Sequence, residues 1–134
     1  MNQLDLNGRV AVITGGNHDS ASHLNAPREL VWKVLSSPDH LKHFWGPDGF
    51  TNEFETFEFQ VNGRWTFVMV GPDGARYQNQ NIFIELKPAA RVVIRHDCEP
   101  FFTLTVQLTD VVGGTHLLWD QVLDDLEMAR AVRA

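Results

Sequence analysis

The chain contains one cysteine, Cys98, in 134 residues. An internal disulfide is therefore excluded, and a single thiol fits a reducing compartment, so we expect a cytoplasmic protein. Long apolar runs are also absent: none approaches the roughly 20 residues that a membrane-spanning helix needs. Residues 1–16 have neither the cationic start nor the unbroken apolar centre of a secretory signal. We expect no membrane partner.

Basic residues are few. Lys and Arg number 11 against 17 Asp and Glu, a formal net charge of −6, and no basic cluster stands out. A nucleic-acid partner is therefore not expected. The length suits one domain with a single core.

Complete metal and catalytic motifs are lacking as well. His40 and His43 are three residues apart, a spacing that brings two imidazoles onto one helical turn. Zinc sites usually take three or four ligands, and no third ligand is evident. The pair is either part of a metal site or two exposed helix residues, and we expect no metal and no catalytic residue.

Residues 7–16 are similar to the first strand and glycine turn of short-chain dehydrogenases, where backbone N–H groups hold a dinucleotide. The similarity ends there, because Asp19 and Ala21 stand where further glycines belong, and no lysine follows Tyr77 four residues on. No cofactor is expected. Residues 1–21 are interpreted as an N-terminal extension, in which Val10 to Ile13 could pair with a sheet edge or with another chain.

Residues 25–50 predict two short helices. Pro27 suits a first helical turn, with Asn25 or Ala26 as the cap. Ser37 and Pro38 restart the pattern, with a hydroxyl cap followed by proline at the first position. The second helix should end at Gly46-Pro47, since proline disfavours a helical residue before it.

After Phe50 the pattern becomes that of β-strands. Alternating apolar and polar residues predict six strands, at 51–61, 64–70, 75–86, 91–96, 101–110 and 115–122. Asn62-Gly63 indicates a two-residue hairpin. Residues 19–24 are expected to form a further short strand, and a short helix is expected from Leu123 to the end.

Several short motifs follow one another along the chain: Asn-Ala-Pro-Arg-Glu-Leu-Val-Trp (25–32), Ser-Pro-Asp-His-Leu (37–41), Trp-Gly-Pro (45–47), Asn-Gly-Arg-Trp (62–65), Gly-Pro-Asp-Gly (71–74), Glu-Leu-Lys-Pro (85–88) and Gly-Gly-Thr (113–115). Together they resemble the START-like (SRPBCC, Bet v 1-like) superfamily, in particular the branch named after activators of the heat-shock-protein-90 ATPase. The resemblance implies an α+β helix-grip fold over residues 22–134: an antiparallel sheet around a C-terminal helix, with a cavity between them. The C-terminal helix would be shorter here than is usual in the family.

The candidate ligand-binding residues lie on the predicted strands and the second helix. Tyr77, Asn79 and Asn81 share one strand face, and amides are unusual in a central strand. They either supply directional contacts inside an aromatic cavity or form a wet outer face. The full set is Trp45, Trp65, Phe67, Met69, Tyr77, Asn79, Asn81, His96 and Trp119, whose aromatic members either line a pocket or form the core. We expect Trp65, Phe67 and Met69 to point inward.

His96 and Cys98 share a strand face in this reading, but residues two apart on a strand are separated by about 6.6 Å. That distance is long for a histidine to activate a thiol directly. We interpret Cys98 as a buried or half-buried thiol near a turn.

Three functions are compatible with these residues. The first is non-catalytic binding of a small hydrophobic or amphipathic ligand, such as a lipid. The second is an enzyme of the cyclase or dehydratase kind, with His96 or Tyr77 as its acid or base. The third is a chaperone-associated module. A short C-terminal helix would leave apolar surface uncovered, which predicts a homodimer unless the N-terminal extension covers that surface.

Overall fold

A computed structural model describes residues 18–43, 45–46 and 49–124 of the chain. They form one antiparallel sheet and two short helices, α1 (Arg28–Leu35) and α2 (Pro38–Leu41). The strands are β1 (His18–Leu24), β2 (Thr51–Phe57), β3 (Arg64–Val70), β4 (Arg76–Lys87), β5 (Arg91–His96), β6 (Phe102–Val111) and β7 (Gly114–Leu123). No helix in this part of the chain is long and apolar enough to cross a membrane.

The sheet order is β1-β7-β6-β5-β4-β3-β2. Strands β2 to β7 form the expected meander, in which each strand pairs with the next along the chain. β1 pairs antiparallel with β7, and the helices lie in the connection between β1 and β2. Two strands, β1 and β2, are therefore at the edges of the described sheet.

The two helices begin close to the predicted positions. α2 starts at Pro38 with Ser37 as its N-cap, as predicted, although the Ser37 side chain makes no capping hydrogen bond. In α1 the N-cap is Pro27 itself, so the expectation of Asn25 or Ala26 is wrong by one or two residues. The Pro27 carbonyl accepts from the N–H groups of Leu30 and Val31, which fixes that start.

β1 confirms the short strand expected near residues 19–24, in spite of its weak strand propensity. Its register against β7 places Ala21 opposite Leu118 and Leu24 opposite Thr115. Tertiary pairing therefore outweighs local preference here. The predicted division between extension and domain at residue 21 falls within this strand and stays a prediction.

The two-residue hairpin predicted at Asn62-Gly63 is wrong. β2 ends at Phe57, which pairs with Trp65, and residues 58–63 form a longer loop. The loop leaves β2 to lie along β4: Asn62 N–H donates to the Phe83 carbonyl, and Phe83 N–H donates to the Gly63 carbonyl. Backbone bonds to a third strand are a tertiary constraint that the local turn pattern does not contain.

The core lies on one face of the sheet, under the two helices. Trp65, Phe67 and Met69 point inward and are buried, as predicted. Val31 and Leu35 of α1 and Leu41 of α2 pack against the same face.

Some expectations fall on residues outside the described part. These are the dehydrogenase-like segment with its strand at Val10 to Ile13, and most of the C-terminal helix. The helix does not begin at Leu123, however, because β7 continues through that residue.

Candidate functional site

The inner face of the sheet encloses a small cavity on the side of the helices. Its volume is about 20 Å³, room for about one water molecule. The lining is apolar and mostly aromatic or branched: Leu35, Leu41, Trp45, Phe59, Trp65, Phe83, Val92, Ile94, Val106 and Trp119. Three of the predicted site residues, all tryptophans, are among them.

These three tryptophans are brought together from distant parts of the chain. The ring of Trp45, which follows α2, lies 4.7 Å from the ring of Trp65 on β3 and 5.7 Å from that of Trp119 on β7. The Trp65 ring also stacks on Phe67 at 4.9 Å. Such centroid distances are typical of favourable aromatic pairs. The helical segment and the sheet thus meet through one aromatic cluster.

The two asparagines of β4, Asn79 and Asn81, face the inside of the sheet. Asn79 and Asn81 are buried, with 8% and 2% of their surface exposed, which rules out a wet outer face for them. Tyr77 differs, because half of its surface is exposed and its ring lies 6.2 Å from that of Phe50. Tyr77 therefore lies near the end of the strand and not with the buried amides.

His96 joins the buried amides from β5, directly opposite Asn81 in the register. Its Nε2 lies 2.8 Å from Asn79 Oδ1, and its Nδ1 lies 2.7 Å from the Pro100 carbonyl oxygen. The Asn79 amide donates from Nδ2 to the Tyr77 carbonyl at 3.0 Å, which fixes its orientation. Burial lowers the pKa of His96, with the hydrogen bond to Pro100 acting in the opposite direction.

Cys98 comes closer to His96 than its spacing in the sequence predicts. β5 ends at His96, and the chain turns back so that Cys98 Sγ lies 3.4 Å from His96 Nε2. Burial nevertheless raises the pKa of the Cys98 thiol. A raised pKa disfavours the thiolate that a nucleophile needs. The half-buried position of Cys98 agrees with the prediction, whereas the predicted separation from His96 is wrong.

His96 and Tyr77 do not form an acid–base pair. Asn81 lies opposite His96, and Tyr77 is four residues away from Asn81 along β4, or about 13 Å by the strand rise. His40 and His43 are exposed. Within the described ranges, no group of three His, Cys, Asp or Glu residues is placed to hold a metal ion.

Three buried polar atoms on the inner face have no hydrogen-bond partner among the described residues. They are the indole Nε1 atoms of Trp65 and Trp119 and Oδ1 of Asn81. Buried polar groups are normally satisfied. These atoms are the directional polar groups of the aromatic inner face.

Sequence reasoning missed several residues of this face. Phe83 follows Asn79 and Asn81 at even spacing, so the alternation along β4 already placed it inside. Gln121 is likewise in phase with Trp119 on β7 and is buried. Leu35 and Leu41 lie within the two predicted helices, but no sequence pattern shows which part of the sheet they cover.

An antiparallel sheet with an aromatic inner face, covered by short helices in the connection after the first strand, defines the START-like class with its helix-grip architecture. The chain belongs to a particular family of that class. A family model described as Activator of Hsp90 ATPase homolog 1-like protein matches residues 25–133.

Solved structures agree on the fold. The chain is similar to a protein from Nitrosomonas europaea (19% identity, 87% of this chain and 80% of the other, TM-score 0.79). It is also similar to a protein from Rhodobacter sphaeroides (26%, 89% and 80%, 0.78). An AHSA1-like protein from Aeromonas hydrophila is a third (18%, 87% and 81%, 0.72). Among curated protein sequences, none matches this chain.

Proposed function

We propose that this protein binds a small hydrophobic or amphipathic molecule, without catalysis, between the inner face of the sheet and the helices that cover it. The observation that carries the proposal is the aromatic cavity wall with unsatisfied polar atoms on Trp65 and Trp119. A third such atom, Oδ1 of Asn81, belongs to the residue directly opposite Trp65 in the sheet register. Small-molecule sites combine these two features: an apolar lining and a few directional polar groups.

Binding requires the cavity to open. Ligand pockets usually measure about 300–1,000 Å³, against the cavity of about 20 Å³. The wall opposite the sheet is formed by Leu35, Leu41 and Trp45, which belong to short helices and the loop after them. Movement of this segment away from the sheet would enlarge the cavity, and it would break the two hydrogen bonds from Asn52 Nδ2 on β2 to the Lys42 and Trp45 carbonyls.

The two other functions have weaker support. An enzyme would need a positioned acid or base that a substrate can reach. His96 is buried, and its two ring nitrogens already face the Pro100 carbonyl oxygen and Asn79 Oδ1. The family description refers to an activator of the Hsp90 ATPase, but a shared fold does not transfer function. Among the described residues, we identify no surface that would bind a chaperone.

Native mass spectrometry of protein purified under mild conditions tests the proposal, and a co-purifying small molecule is the expected result. Val106→Phe adds bulk to the cavity wall, whereas Val93→Phe adds the same bulk to the outer face of the neighbouring strand. We expect the first variant to lose the bound molecule and the second to keep it. Urea unfolding of both variants checks that the loss does not come from unfolding.

The proposal fails if the gently purified protein carries no small molecule and a panel of apolar compounds leaves the tryptophan resonances of the protein unchanged. It also fails if Val106→Phe and Val93→Phe retain a bound molecule equally, because the molecule would then lie elsewhere.

A further inference from the structure

We infer that the ligand carries an uncharged head group that both donates and accepts a hydrogen bond, such as a hydroxyl or a carboxamide, and that Trp65 and Asn81 hold it. This inference rests on the ligand binding proposed above and names the chemical class of the ligand.

Trp65 and Asn81 are neighbours on the inner face. They lie directly opposite each other in the β3–β4 register, and both are almost completely buried. The Cβ atoms of directly opposite residues in an antiparallel pair are about 4.5–5.5 Å apart. One small polar group can therefore reach both side chains.

The unsatisfied atoms of this pair are complementary. The indole N–H of Trp65 can only donate, and the carbonyl oxygen of the Asn81 amide can only accept. A ligand hydroxyl would accept from the first and donate to the second. An ether could satisfy only Trp65, and a hydrocarbon would satisfy neither.

The surroundings disfavour a charged head group. The buried polar side chains in the described part are Asn79, Asn81, His96, Thr115 and Gln121, which include no lysine, arginine, aspartate or glutamate. Burial lowers the pKa of His96, which disfavours its cationic form. Arg95 on β5 lies between buried Ile94 and His96, so its side chain is on the outer side of the sheet, where it is paired with Asp124. A buried carboxylate or phosphate would have no countercharge, which is strongly unfavourable.

The aromatic cluster suits a flat apolar body next to that head group. Trp65 contacts both Trp45 and Phe67, so a molecule bonded to its N–H would lie against rings. A two-ring aromatic alcohol is therefore a suitable probe.

The experiment compares three probes with one ring system: 2-naphthol, 2-methoxynaphthalene and 2-naphthoate. Calorimetry measures each affinity at neutral pH, and ¹H–¹⁵N spectra follow the four indole N–H resonances, assigned by Trp→Phe variants. We expect 2-naphthol to bind at least about tenfold more tightly than either of the other probes. 2-Methoxynaphthalene loses one hydrogen bond, and 2-naphthoate would bury a charge. The Trp65 indole resonance should shift on binding.

Two variants remove the proposed contacts one at a time. Trp65→Phe deletes the N–H and keeps a ring, with Trp32→Phe as its control in the half-buried layer beside Phe59. Asn81→Leu deletes the acceptor and keeps the size, with the exposed Gln78→Leu as its control. Trp65→Phe and Asn81→Leu should each lower the affinity for 2-naphthol to that for 2-methoxynaphthalene. Trp32→Phe and Gln78→Leu should leave the affinity for 2-naphthol unchanged.

Equal binding of all three probes would overturn the head-group inference and leave the proposed apolar site standing. Tighter binding of 2-naphthoate would overturn it too, since it would require a cationic site. Binding of none of the probes would count against both the inference and the proposed function.

Discussion

At the scale of a single residue, the burial of His96 makes the stability of the fold depend on pH. Its pKa is lowered in the folded protein, from an ordinary value of 6.5, mainly by burial. The unfolded chain therefore binds more protons than the folded chain as the pH falls below 6.5, and protons favour unfolding. We expect the free energy of unfolding to decrease as the pH falls from about 7 toward the lowered pKa of His96, measured by urea unfolding.

His96→Gln should remove most of this pH dependence, whereas the exposed His40→Gln should keep it because His96 is still present. Direct titration of the His96 ring by NMR gives an independent check. A ring that titrates above 6.5 in the folded protein would contradict the prediction, whatever the variants do.

Thr115 illustrates a buried hydrogen bond that joins two distant segments. Its hydroxyl donates to the Ala26 carbonyl at 2.6 Å, and both groups are buried. Thr115→Val keeps the shape but leaves that carbonyl without its donor, which costs about 1–3 kcal/mol of stability. Urea unfolding measures the loss. Thr109→Val makes the same change at an exposed position of β6 and should change stability by less than about 0.5 kcal/mol; equal losses in the two variants would show that the bond contributes nothing.

At the scale of elements, the loop between β2 and β3 depends on Gly63. A Cβ at this position would lie 2.0 Å from the Glu58 carbonyl oxygen and 2.8 Å from that of Gln60, both backbone atoms. Gly63→Ala therefore forces the loop to shift and disturbs its bonds to Phe83. We expect a destabilisation of about 1–3 kcal/mol, as for other overpacked sites, measured by thermal or urea unfolding.

The neighbouring Gln60→Ala, at an exposed position of the same loop, is the matched control and should have little effect. Hydrogen exchange adds a local measurement, because the Phe83 amide donates to Gly63. Unchanged stability and unchanged protection of that amide in Gly63→Ala would show that the loop tolerates a side chain.

The bounds of the strands show which features of the fold can be predicted from the sequence. Strands β3 and β5 were predicted with their observed bounds, because alternation and flanking turn residues are local properties. The bounds of β2 were not predicted, since Asn62 and Gly63 exchange backbone hydrogen bonds with Phe83 of β4. In the site, alternation placed Asn79 and Asn81 on one face, but burial of that face depends on helices far away in the chain. The approach of Cys98 to His96 depends on where β5 ends, which no periodicity shows.

At the scale of the whole molecule, the homodimer expected from the sequence stays a prediction, and the sheet edges indicate where it would form. Among the described residues, β2 exposes Glu53, which is paired with Arg76, and Glu55, which has no cationic partner and would repel a second copy of that edge. β1 contains one carboxylate, Asp19, near its start, and residues 20–24 contain none. We therefore expect association through β1, with concentration-dependent mass in sedimentation equilibrium.

Ala21→Lys should weaken association, because a lysine protects a strand edge from pairing, and Gln60→Lys adds the same charge elsewhere as a control. A wild-type protein that stays monomeric at the highest accessible concentration would refute the dimer, and equal effects of the two lysines would place its interface away from β1.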